Sequence, residues 1–202
     1  MNLLGYDAVA LGPRDLALGI ATLRQRIAEA SFSFLSANAV DRDSGELLAK
    51  AYVVLDMKGY RVAIVGISGL SDTEQISVLD PLVAVKDVVA DAEAESDAII
   101  VLSNAGAEVN RQIADGVTGI AAIVGGGRGA SAAPWVSSRT MTPIFHADEA
   151  SPGHAGRVLG VARLVLDRTG AMTDYTWEPL TLGPEVPDDA SVATWVKTKT
   201  GS

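Results

Sequence analysis

The sequence predicts an α/β sandwich: two mixed sheets flanked by helices, closed by a C-terminal antiparallel strand pair. Three observations carry this. Ile120–Gly129, reading IAAIVGGGRG, is an apolar run ending in a glycine-rich turn. That is how a buried strand delivers a loop to the mouth of an α/β sheet, where ligand sites usually lie. Strand-like and helix-like stretches alternate up to Gly156. Beyond it, Arg157–Asp167 and Ala171–Leu182 are long strand patterns joined by Asp167–Gly170, an antiparallel pair. The change from alternation to long antiparallel strands favours a sandwich over an open parallel sheet.

Taken in order, Ala8–Leu11 is a short strand closed by Gly12-Pro13. Asp15 is expected to cap a helix in which Leu16, Ile20, Leu23 and Ile27 share a face. Phe32–Asn38 reads as a strand and Asp41–Gly45 as a polar turn. Ala51–Asp56 and Arg61–Ile67 form a hairpin about Lys58-Gly59, the second run lacking polar alternation and so buried on both faces. Gly66–Asp72 is a loop. Asp80–Glu95 is helical, with Leu82, Val85, Val89 and Ala92 on one face and acidic residues at its unfavourable C-terminal end. Ala98–Leu102 is a buried strand, Glu108–Ala114 a short helix, Ser131–Thr142 a loop and Pro143–His146 a brief strand. The tail opens with Pro184 and Pro187, and Asp188 or Asp189 caps a short helix through Trp195. We expect one domain over 1–183 and a tail over 184–202.

Composition narrows the chemistry. The 202 residues are 48% hydrophobic and 20% charged, which reads as globular and long enough for a real core. The absence of cysteine excludes disulfides, thiolate zinc sites and a cysteine nucleophile. Two histidines, His146 and His154, are too few for a histidine-rich metal site. The net charge of -9 argues against nucleic acid and against anionic lipid as partners. No apolar run approaches the ~20 residues of a membrane helix, and Met1–Gly5 runs straight into Asp7 without a signal-peptide pattern. The compartment stays open.

Five blocks then line up with one family: Met1–Gly19 (MNLLGYDAVALGPRDLALG), Phe32–Gly69 with its LSAN and KAY steps, Ala98–Glu108 (AIIVLSNAGAE), Ile123–Gly129 (IVGGGRG) and Gly153–Leu182. In content and order they resemble the calcineurin-like metallophosphoesterases, in the 5'-nucleotidase branch. The resemblance covers roughly Met1 to Trp195. It implies a fold in which Asp, Asn and His side chains hold two divalent metal ions that activate water for phosphoester hydrolysis. At the matching positions this chain departs. Pro13 stands for the ligand Asn and Arg14 for the catalytic His, whereas Asp15 keeps the acidic type. Asn104 stands for a ligand His, and Gly127 and Gly129 for two more. The family's opening block, carrying an Asp-x-His and a Gly-Asp, has no counterpart. The expectation is a degenerate, N-terminally truncated, non-catalytic relative with a binding or assembly role and no cofactor. The alternative is a metal-dependent phosphohydrolase of nucleotides or related phosphoesters, completed by a missing segment or a partner chain.

Single features leave two readings each. Gly125-Gly126-Gly127-Arg128-Gly129 can cradle an anion with backbone N–H groups and the Arg128 charge, or is a loop without a ligand. The same stretch fits a dinucleotide fingerprint, but Pro134 blocks the helix that would follow. Arg14 and Arg128 lie on loops that the family converges on one pocket, so Arg14, Asn104, Gly125, Gly126, Gly127 and Arg128 are the anion-binding candidates. His146 and His154 read as structural. Gly66-Ile67-Ser68-Gly69-Leu70 falls one glycine short of a nucleophile elbow. Trp135, Trp177 and Trp195 read as packing residues. The block absent from the family pattern implies a bared sheet surface, covered by a second copy or by another protein.

Overall fold

The computed structural model describes residues 1–127, 133–147 and 156–200. A 3-10 turn, Asn2–Leu4, leads into β1 (Ala8–Ala10), α1 (Pro13–Leu16) and α2 (Ile20–Glu29). The expected single helix is thus broken at Gly19, whose φ of 78° suits glycine. Asp15 therefore does not cap the long helix. Its carboxylate accepts the Gly12 N–H at 2.8 Å and closes the Gly12-Pro13 turn instead.

The chain continues through β2 (Ser33–Leu35), β3 (Ala39–Asp41), β4 (Tyr52–Met57), β5 (Tyr60–Ile67) and β6 (Ile76–Val78). Phe32–Asn38 is thus shorter as a strand than its pattern suggested, and β6 arises where the sequence shows no alternation. β6 exists because it pairs antiparallel with β3. Lys58 and Gly59 both take positive φ, 52° and 92°, the geometry of a two-residue hairpin between β4 and β5. Next come α3 (Pro81–Glu93), β7 (Ala98–Ser103), α4 (Ala107–Gly116), β8 (Ile120–Gly125), β9 (Trp135–Val136) and β10 (Pro143–Phe145). β9 falls inside the stretch read as a loop, where pairing with β10 straightens two residues. The hairpin β11 (Val158–Leu166) and β12 (Met172–Thr181) follows as expected, and α5 (Ala190–Thr200) runs past Trp195.

One sheet organises these elements, in the order β4-β5-β7-β8-β10-β9. β5, β7, β8 and β10 are mutually parallel, with antiparallel β4 and β9 at the edges. α3 and α4 cover one face. There Val65, Ile67, Ile99, Val101 and Ile123 pack with Val85, Val89 and Ile113. On the opposite face lie two separate strand pairs. The parallel pair β1–β2 sits over β5, with Leu35 against Val62 and Ile64. The contact is close enough that a Cβ on Gly66 would stand 2.4 Å from the Leu35 Cβ. The β11–β12 pair is held by Phe145, whose ring stacks on Trp177 and meets Tyr175 edge-on, both at 5.2 Å between centroids. At its far end Tyr60 Oη donates to the Leu166 carbonyl at 3.3 Å.

The second layer is therefore in pieces among the described residues. Between them, Ile100 and Leu102 are only half-buried and Val124 is 40% exposed, while its neighbour Ile123 is fully buried. A second core, with Leu11, Leu16, Leu23, Ile76 and Val78, joins α1 and α2 to the β3–β6 pair. Behind β1, a buried polar network ties three segments. Ser36 Oγ and Ser68 Oγ lie 2.8 Å apart, Ser68 Oγ donates to the Leu11 carbonyl at 2.9 Å, and the Asn38 amide bonds both the N–H and the carbonyl of Ser68.

Candidate functional site

Three loops meet where β1, β7 and β8 end. Backbone hydrogen bonds set their spacing: Leu11 N–H donates to Leu35 O at 2.9 Å, Asn104 N–H to Ile67 O at 2.8 Å and Gly126 N–H to Ser103 O at 2.7 Å. Asn104 occupies the centre. Its Nδ2 lies 3.4 Å from the Ala10 carbonyl and 3.5 Å from that of Leu11, long contacts by hydrogen-bond standards. A Cβ on Gly12 would stand 3.4 Å from Nδ2, and one on Gly126 would stand 2.6 Å from Oδ1. The amide thus fills the space between two glycines and braces the first loop against the third.

The structure brings Pro13, Arg14, Asn104 and Gly126 to one place, and Gly127 follows directly. Arg14 is exposed and has no hydrogen bond or ion pair among the described residues. Gly127 has a φ of 88° and nothing within 4 Å of where a Cβ would stand, so it faces open space. Gly125 departs from the expectation. It remains in β8, in register with Ser103, and faces buried Asn110 and His146 rather than the loops. Gly126 also contributes less than expected, because its N–H is engaged by Ser103. Arg128, Gly129 and His154 lie outside the described residues.

Sequence reasoning missed the buried pair beneath this loop cluster. Ser103 Oγ donates to Asn110 Oδ1 at 2.6 Å and accepts the Ala105 N–H at 3.1 Å, so it anchors the start of α4. A polar residue, Asn110, on the helix face that also buries Ile113 and Ala114 was the available signal. The Trp expectation holds for Trp177, and Trp135 carries Arg111 over its ring at 5.8 Å. Trp195 instead is 53% exposed. It lines a groove of about 570 Å³ with Leu3, Leu4 and Phe32.

Groups whose ionisation the fold displaces lie elsewhere. The Val78 N–H, and then the Arg42 guanidinium, hold the Asp72 carboxyl below the usual range. Thr169 does the same for Asp167 in the β11–β12 turn, and Ser191 for Asp189 at the start of α5. Burial, and then Glu95, raises the Tyr52 phenol.

No protein-family model matches the chain. A 76-residue stretch is 37% identical to protein UshA of Yersinia enterocolitica, covering 38% of this chain and 14% of that protein. The probable 5'-nucleotidase of Treponema pallidum is 27% identical over 202 aligned residues, covering 89% of this chain and 34% of its own length. Calcineurin-like phosphoesterase YfkN of Bacillus subtilis superimposes over the whole chain and 71% of its own solved structure, with a TM-score of 0.80 at 23% identity. The chain is similar in sequence to 5'-nucleotidases and shares the fold of the calcineurin-like metallophosphoesterases.

The match spans about a third or less of the two sequence relatives' length. The family implies two metal ions, and the loop cluster does not fit them. Pro13 and Gly127 offer no side-chain donor, the Asp15 carboxylate takes the Gly12 N–H, and Asn104 braces the loops. Among the described residues no three His, Cys, Asp or Glu side chains gather as a metal site would require. Among them, too, no helix is long and apolar enough to cross a membrane.

Proposed function

We propose that this 5'-nucleotidase-like domain is non-catalytic and keeps its loop cluster as a weak binding site for a small oxyanion. The observation that carries the reading is Arg14: an exposed guanidinium without an ion pair among the described residues, on the loop that Asn104 braces against Gly126. A guanidinium can take a phosphate or carboxylate through paired N–H donors without any metal. Arg14 always carries its charge and so cannot shuttle protons at neutral pH, which accords with binding rather than turnover.

The test is calorimetric titration of the full chain with phosphate, sulfate and AMP. Saturable heat at millimolar ligand, abolished by Arg14→Ala, supports the reading. Absence of heat for all three anions removes it. The rival is a phosphohydrolase completed by another chain or segment, and the preserved convergence of the three loops favours it. Hydrolysis of a nucleotide monophosphate that depends on added manganese, cobalt or zinc would establish the rival instead.

A further inference from the structure

We propose that a hollow at the far end of the central sheet binds a small alkylammonium or alkylguanidinium ion. The inference is independent of the anion reading. The hollow lies where β7 and β8 begin, whereas the loop cluster lies where they finish. Its walls come from the end of α3, the stretch leading into β7, the turn before β8 and the β11–β12 turn. The space is about 450 Å³, the size of a small-molecule site. The walls press on one another. A Cβ on Gly170 would collide with the Asp97 carbonyl, so the hairpin turn is seated on the approach to β7. A Cβ on Gly119 would collide with Glu93 Oε1, so that carboxylate lies directly over the glycine.

Charge selects the ligand. Glu93 and Asp97 are the charged side chains on the lining, and no Lys, Arg or His joins them. Neither carboxylate makes an ion pair among the described residues. The Arg61 N–H donates to Asp97 Oδ2 at 2.7 Å, which leaves Oδ1 to the hollow. Glu93 also closes α3, a helix with no basic residue in its last turn. Negative charge there adds to the negative end of the helix dipole, an unfavourable placement that a bound cation answers.

The uncharged groups select in the same sense. Ser96 Oγ donates to Ala92 O at 2.8 Å, Thr140 Oγ1 to Ala114 O at 2.6 Å and Thr169 Oγ1 to Asp167 Oδ1 at 2.6 Å. Each hydroxyl has spent its proton inside the protein and offers the hollow only lone pairs. The N–H groups of Thr169, Gly170 and Ala171 are likewise taken by Asp167. A lining of acceptors suits a ligand of donors, and an ammonium or guanidinium carries donors alone. Ile99, Ala121 and Met172 supply apolar surface for its carbon chain. A bare metal ion fits less well, because no third His, Cys, Asp or Glu among the described residues completes a metal site.

The experiment titrates the full chain with putrescine by calorimetry at low ionic strength, with butanediol as the uncharged control. Glu93→Gln and Asp97→Asn remove the charges and keep the shapes. Asp43→Asn removes an equal charge at an exposed site that does not line the hollow. Saturable heat at millimolar putrescine, weakened at least tenfold by either lining substitution and unchanged by Asp43→Asn, is the expected result. Amide shifts of the unsubstituted chain centred on Gly119 and Gly170 should accompany it, a readout that stands even if a variant misfolds. Lack of heat, equal heat from butanediol, equal weakening by Asp43→Asn, or shifts centred elsewhere overturns the proposal. So does displacement of putrescine by equimolar magnesium, because a metal site then accounts for the binding.

Discussion

Alanine at Gly126, alone and together with alanine at Asn104, tests whether the Asn104 amide is a brace. The Cβ of Gly126→Ala would stand 2.6 Å from Oδ1, so the amide must leave its place between the loops. That forfeits two contacts to Ala10 and Leu11, which at 3.4 and 3.5 Å are long enough to be worth less than ~1 kcal/mol each. With the local repacking, Gly126→Ala should cost about 1–2 kcal/mol. Asn104→Ala should cost a similar ~1–2 kcal/mol. In the Asn104→Ala background the nearest remaining atom to the new Cβ is Ser103 O at 3.8 Å, an ordinary contact. The second substitution should then be nearly free, leaving a coupling of about 1 kcal/mol or more. Urea unfolding reads this directly: with m of about 2–3 kcal/mol/M, each single variant lowers the midpoint by roughly 0.5 M. If the two substitutions add within ~0.5 kcal/mol, the amide is not wedged between the loops and the brace is refuted.

Three further outcomes follow from the packing. Gly66→Ala should cost about 3 kcal/mol or more, because its Cβ meets the Leu35 backbone carbonyl at 2.5 Å and neither strand can move aside; a urea midpoint near that of the unsubstituted chain would contradict the layer contact. Asp80→Ala should cost about 1 kcal/mol, since Asp80 Oδ1 accepts the Leu82 and Val83 N–H groups at 2.9 and 3.0 Å; thermal melts with Asp80→Asn as the conservative control will show it. Asp72 should make stability acid-sensitive. Its folded pKa lies below the ordinary unfolded value of about 3.9, so its contribution is complete above that value and is lost as pH falls through the folded one. Melting temperatures of Asp72→Asn should therefore fall less steeply than those of the unsubstituted chain between about pH 5 and 2.

Elements with long, regular patterns were legible in the sequence: the β4–β5 hairpin, α3, β7, β8 and the β11–β12 pair. β6 and β9 were not, because strands of three and two residues carry too little pattern and are straightened by partners distant in sequence. The open face was equally illegible. Ala98–Leu102 reads the same whether both faces are covered or one, and Ile100 and Leu102 reveal their exposure only once the layers are laid down. At the loop cluster, the resemblance located Pro13, Arg14, Asn104 and Gly127, and the glycine run pointed to Gly126. Neither disclosed that Gly126 gives its N–H to Ser103, or that Asn104 fills a gap between glycines. Such roles depend on tertiary approach, which local pattern does not encode.

The Ser68 hydroxyl, itself bonded to that of Ser36, grips the Leu11 carbonyl from inside the molecule, one residue before the Gly12-Pro13 turn. The path of that turn is thereby anchored from the rear, with no demand on the side chains at its rim. Residues such as Pro13 and Arg14 can be exchanged there while the main chain keeps its course. The chain is accordingly a host into which histidine and asparagine can be grafted at those rim positions, with the surrounding architecture already cast.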